Sequence, residues 1–126
     1  MSGLGYRELK VWERAMELAV EVYLATDLMP DSEKYGLVSQ MQRAAVSVPS
    51  NIAEGHSRSH LGDYLKHLSY ARGSLAELET QLEISVRVKR LSRDNASESW
   101  RLAQETGRML TGLIQSLQPD TPPASS

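Results

Sequence analysis

An all-α chain, folded as an antiparallel up-down four-helix bundle, is what this sequence predicts. Three observations carry that prediction. Apolar residues recur at steps of three and four through four long segments, the period of an amphipathic helix. Strict apolar/polar alternation of strand length is scarce. All five prolines sit at Pro30, Pro49, Pro119, Pro122 and Pro123, so long stretches are free of helix breakers.

The first helix is expected over Tyr6 to Asp27. Leu9, Trp12, Met16, Ala19, Val20 and Tyr23 form one broad stripe, and Glu13, Arg14, Glu17 and Glu21 face away from it. Leu28 to Ser32 is a break, after which Asp31 or Ser32 can cap a second helix from Ser32 to Gly55. Leu37, Met41, Ala44, Ala45, Val48 and Ile52 make its apolar face. Pro49 lies inside it and removes a backbone donor. Either the helix kinks there or a fresh helix starts at Pro49 with Ser47 as cap. The kink is expected, because the apolar spacing continues in phase from Val48 to Ile52.

Gly55 to Ser59 is a short connection to a third helix over Leu61 to Arg90. Its apolar set is Leu61, Tyr64, Leu68, Ala71, Leu75, Leu78, Leu82 and Val86, the most regular pattern in the chain. Ser92 or Asp94 caps the fourth helix, where Trp100, Ala103, Gly107, Leu110, Ile114 and Leu117 recur. Residues 1–118 are thus expected to form one bundle domain, with 119–126 a flexible tail that cannot continue a helix.

Composition narrows the function. The chain has 126 residues, enough for one domain, and lacks Cys, which excludes disulfides, Cys-ligated metal and a thiol nucleophile. No apolar run is long enough for a membrane span and no signal-peptide pattern opens the chain, so a cytoplasmic protein without membrane contact is expected. Phosphate-loop, dinucleotide-binding, nucleophile-elbow and zinc-protease motifs are missing. No enzymatic activity and no cofactor are therefore expected.

Three side-chain constellations stand out. Gln40, Arg43, Ser47, Asn51 and Glu54 fall on one narrow stripe of the second helix beside its apolar face, and Asp63, Tyr70, Ser74, Glu77 and Gln81 form a matching line on the third. The two lines can join in a polar network between helices or subunits, or line a cleft. Arg43 is expected to be buried in that network against Glu77 or Glu54. His56, His60, Asp63 and His67 recur at helical spacing. Solvated or subunit-contact histidines are the expectation there, not a metal site. Arg87, Lys89, Arg90 and Arg93 form a basic tip between the third and fourth helices, net +4 over 87–93 in a chain of net −2. Cations suit a helix C-terminus through its dipole, and they could equally touch phosphates. One chain offers too few charges for tight binding, whereas a ring would multiply them.

Several segments also carry a family resemblance. They are Leu9-Lys-Val-Trp12, Met29-Pro30, Glu33-Lys-Tyr-Gly-Leu37, Gln40-Met-Gln-Arg43-Ala-Ala-Val-Ser47-Val-Pro-Ser-Asn51-Ile-Ala-Glu-Gly55 and Ala71-Arg-Gly-Ser-Leu-Ala-Glu-Leu-Glu-Thr-Gln-Leu82. With them the chain resembles the bacterial four-helix bundle proteins first noted as products of intervening sequences in large-subunit ribosomal RNA genes. The resemblance implies homopentameric rings without enzymatic activity. It also implies a link to nucleic acid. A relative, the accessory protein of diversity-generating retroelements, associates with a reverse transcriptase and binds nucleic acid through a basic surface. This chain departs from that branch in its net charge of −2. The expected function is a homo-oligomeric scaffold or adaptor that contacts RNA, DNA or a nucleic-acid enzyme through Arg87, Lys89, Arg90 and Arg93. The alternative is a ring that binds protein only.

Overall fold

The computed structural model describes residues 5–118. The flexible tail expected at 119–126 lies outside the described residues. Four α-helices follow a 3₁₀ turn at Gly5–Glu8: α1 (Lys10–Thr26), α2 (Leu37–His56), α3 (Leu61–Arg87) and α4 (Arg93–Leu117). There is no strand among the described residues. Helix α1 packs against α2 and α4, and α3 packs against the same two, so the helices sit in ring order around one core. The cross-helix pairs count in opposite directions: Met41 meets Ser85, Ser47 meets Ser74 and Asn51 meets His67.

The core is aliphatic, with Leu18, Val22, Met41, Val48, Ile52, Leu68, Leu78, Leu82 and Leu110 almost fully enclosed. Helices α2 and α3 bury the stripes expected of them: Met41, Ala44, Ala45, Val48 and Ile52 on one, Leu68, Ala71, Leu75, Leu78 and Leu82 on the other. Leu61 is the exception on α3 and stays exposed.

Helix α1 does not follow the expected stripe. It buries Val11, Ala15, Leu18, Ala19, Val22 and Ala25, while Met16, Val20 and Tyr23 point outward with Leu24. The helix is apolar on two faces, and only one of them can face the core. Helix α4 keeps much of its expected stripe, with Ala103 and Leu110 buried and Ile114 and Leu117 packed against the core, but not Trp100. Ala96, Ser99, Leu102, Ala103, Thr106 and Leu110 are its buried set, and Trp100 is 41% exposed.

The helix ends carry the remaining differences. Pro30 leads into a 3₁₀ turn at Asp31–Glu33, and α2 begins only at Leu37, after Gly36, rather than at Ser32. Helix α2 then runs unbroken through the buried Pro49, so no fresh helix starts there. Helix α3 ends at Arg87, not Arg90. Lys89 adopts a left-handed conformation at φ 62°, the Arg90 N–H bonds the Ser85 carbonyl at 2.9 Å and the Lys89 N–H bonds that of Val86 at 3.0 Å. This is a Schellman stop with lysine in the place that usually holds glycine. Ser92 caps α4 by accepting the Asn95 N–H at 3.0 Å.

Candidate interaction site

The expected polar lines meet, but only at their centres. Asn51 Nδ2 donates to the Ser47 carbonyl at 2.9 Å and to Ser47 Oγ at 3.0 Å. Ser47 Oγ lies 2.8 Å from Ser74 Oγ across the α2/α3 seam. Both Asn51 donor bonds are thereby assigned, so its Oδ1 must accept, and the partner is His67 Nδ1 at 3.2 Å. The His67 N–H thus donates to Asn51 and Asn51 donates to Ser47, while between the Ser47 and Ser74 hydroxyls either can donate. The outer residues of the lines stay out of the chain. Gln40, Arg43, Glu54 and Glu77 are exposed, and Glu54 bonds Arg58 at 2.8 Å. Within one copy, Arg43 is not buried against Glu77 or Glu54. Ser and Asn are short enough to sit inside the seam, whereas long charged side chains at its edge extend into water. Gln81 is buried, and its Oε1 has no partner among the described residues.

Gly55 makes this close approach of α2 and α3 possible. A Cβ there would stand 2.7 Å from His67 Cβ, 3.1 Å from Tyr64 Cδ1 and 3.3 Å from the Tyr64 carbonyl. The histidines are dispersed. His67 also meets the Tyr70 ring edge-on at 5.6 Å, and His56 meets Tyr64 in the same way. Burial pushes the Tyr64 hydroxyl above its ordinary pKa. No group of three His, Asp or Glu among the described residues stands close enough to hold a metal. His67 has a role that spacing alone did not suggest. The signal available was its place opposite Asn51 once α2 and α3 are paired.

The basic tip is partly neutralised. Arg87 Nε bonds Glu83 Oε2 at 2.9 Å, and Arg93 reaches the same oxygen at 3.5 Å. Arg90 Nε bonds Glu33 Oε2 at 2.9 Å. The Arg87 hydrogen bond, with Arg93 behind it, holds the Glu83 carboxyl below its ordinary pKa. Lys89 stands exposed at the apex. Three of the four cations thus contact two carboxylates, and Lys89 makes no ion pair among the described residues.

Two further surfaces are visible only in the fold. On α1, Met16, Val20, Tyr23 and Leu24 form an exposed ridge, with Val20 58% and Leu24 57% exposed. Beside it, Trp12, Met16, Val46 and Pro49 line a hollow of about 330 Å³ between α1 and α2. On the other side of the bundle, α3 and α4 leave a groove. A cavity of about 500 Å³ is bordered by Arg72, Ala76, Gly107, Arg108 and Gly112. A second of about 480 Å³ reaches Ile84, Arg87 and Trp100. A third of about 300 Å³ lies between Leu82, Val86 and Trp100. Gln104 Nε2 donates to Glu79 Oε2 at 2.8 Å across this groove, and burial raises the Glu79 pKa.

These features define a small α-helical bundle whose distinctive chemistry lies on its surfaces. The chain belongs to the 23S rRNA-intervening sequence protein family, whose model matches residues 7–112. The fold is shared with a crystal structure of a protein of unknown function from the S23 ribosomal protein family of Bacteroides thetaiotaomicron. That match has a TM-score of 0.77 at 23% identity, over 83% of this chain and 98% of the other. A search of curated proteins gave no match. No helix among the described residues is long and apolar enough to cross a membrane.

Proposed function

We propose that this protein is a non-catalytic, homo-oligomeric scaffold of the cytoplasm, assembled as a pentamer. The single observation that carries the assembly is the α1 ridge. Met16, Val20, Tyr23 and Leu24 are exposed side by side on one helix whose other face already fills the core. A contiguous exposed apolar face of this kind marks an interaction surface in a soluble domain. The number five comes from the family resemblance. Multi-angle light scattering should give about five times the chain mass of 14.0 kDa. A monomeric mass at micromolar concentration contradicts the proposal.

The scaffold's contact with RNA, DNA or a nucleic-acid enzyme is the second part of the reading, and the tip favours it. Arg87, Lys89, Arg90 and Arg93 repeat once per copy in any cyclic assembly, so weak single contacts become many. Each phosphate must compete with Glu83 or Glu33, which lowers the gain per contact. An electrophoretic shift of structured RNA or duplex DNA should therefore appear at low salt and fade steeply as salt rises. It should vanish when all four cations are changed to Gln. A wild-type protein that shifts neither at low salt is a protein-only ring.

A further inference from the structure

We infer that the α1 ridge of one copy seats in the α3/α4 groove of the next copy, making a head-to-tail contact. The inference rests on the self-association proposed above and names its two surfaces.

The groove is continuous. Ala76 and Glu79 border both of its two larger cavities, and Glu83 and Trp100 border both of the cavities at its other end. Its shape suits a helix. Gly107 and Gly112 keep the α4 wall low, and a Cβ on Gly112 would meet nothing within 4 Å. Ile84 and Trp100 offer exposed apolar surface near the opposite end. The ridge supplies what such a groove takes. Met16, Val20, Tyr23 and Leu24 stand at steps of four, three and one, the anchor spacing of a helix laid in a groove.

The charges on the two surfaces are opposite. Glu13, Glu17, Glu21 and Asp27 lie along and beside the ridge on α1 and its C-terminal turn. Arg72 and Arg108 border the groove with no ion pair among the described residues, and Arg87 and Arg93 share the one carboxylate of Glu83. Glu79 and Glu83 also border the groove and Arg14 pairs with Glu17 beside the ridge, but four arginines outnumber the two groove carboxylates, so a net acidic apolar ridge meets a net basic groove.

Position completes the case. In the ring order of helices, the α3/α4 side is opposite the α1/α2 side. A copy cannot reach its own groove, and two copies cannot satisfy both pairs of faces by a two-fold contact. The contact is heterologous, and it repeats until the rotation closes a ring.

The test uses two variants with one dead face each. Val20→Asp with Leu24→Asp removes the ridge, and Arg72→Glu with Arg108→Glu reverses the groove rim. All four positions are exposed, and circular dichroism melts check that each variant folds. Each variant alone should have the mass of one chain. Mixed, they should form a 1:1 complex of twice that mass and nothing larger, because one live ridge meets one live groove. A ridge or rim variant that assembles as the wild type does overturns the inference and leaves the scaffold reading standing. So does a mixture that stays monomeric, which points to an isologous contact. A groove variant that remains assembled but no longer shifts RNA gives the groove to nucleic acid. A wild-type monomer overturns both readings.

Discussion

Helix α3 forms one seam with α2 and another with α4, and the two are built differently. Against α2 the backbones run close along much of their length, and the polar atoms of Ser47, Asn51, His67 and Ser74 bond one another. Against α4 the backbones stand farther apart, the contact is bridged by Gln104 and Glu79, and cavities remain. A seam whose central polar groups bond one another fixes the register of two helices, and those groups have little left to offer a partner. A seam left open holds the unspent surface: Trp100, Ile84, and Arg72 and Arg108, which make no ion pair among the described residues. Changes in the closed seam should therefore be read in stability, and changes in the open seam in assembly.

The largest expected effect is Gly55→Ala. Its Cβ would stand 2.7 Å from His67 Cβ and 3.3 Å from a backbone carbonyl, so α2 and α3 must separate. Overpacking of this kind costs about 1–3 kcal/mol, and a rigid neighbour puts the cost at the upper end. Urea unfolding measures it. An unchanged midpoint would show that the seam yields without cost.

Asn51→Ala comes next. It leaves the His67 N–H and the Ser47 hydroxyl without their central partner, at about 1–3 kcal/mol. Changing Ser47 and Ser74 to Ala together should cost less than the sum of the two single changes, since both ends of one bond are removed. A strictly additive double-mutant cycle would mean the two hydroxyls do not interact.

Gly112→Ala sharpens the comparison, because its two effects should have opposite signs. The helix gains about 1 kcal/mol from the better helix former, and no atom within 4 Å opposes the methyl. The thermal melt of a dissociated protein should rise while the assembled mass falls. A rise in both would place the neighbour elsewhere.

The smallest effect is a titration. The folded pKa of Glu83 is depressed below 4.5, so the Arg87 bond adds stability above that pH. The contribution is lost as pH falls through the lower folded value. Arg87→Gln should move the Glu83 carboxyl pKa upward toward 4.5, as read by carboxyl NMR. Glu79 has the opposite sign, since burial raises its pKa. Its protonated form is the one favoured in the fold, so its contribution weakens as pH rises through the raised value.

Much of the fold was legible, and the reasons differ by helix. Helices α2 and α3 each carry one dominant apolar stripe, so the period identifies the buried face. Helix α1 carries two, and periodicity cannot say which one the core takes. The unchosen stripe is the exposed ridge of Met16, Val20, Tyr23 and Leu24, the proposed assembly surface. Trp100 falls in phase with Ala103 and Gly107, but the buried row runs through Ala96, Ser99, Ala103 and Thr106 and leaves the indole at its edge. Lys89 gives no sign of a left-handed helix stop, since that place favours glycine. In the polar seam, Ser47, Asn51 and Ser74 were readable from spacing, but His67 depended on the pairing of the helices. The groove is created by side chains that are missing at Gly107 and Gly112, together with a wide helix separation, and neither has a strong period. The one cue in the sequence is two glycines five apart on an otherwise unbroken helix.

The most direct test of the open seam is the fluorescence of Trp100. Trp12→Phe leaves it as the single tryptophan, 41% exposed in one copy. If the groove is filled by a neighbour's ridge, emission from the assembled protein should be blue-shifted. Adding Val20→Asp and Leu24→Asp should shift it to the red as the mass falls to one chain. Identical emission from the assembled protein and the monomeric ridge variant would contradict the account, because the indole would then be untouched by assembly.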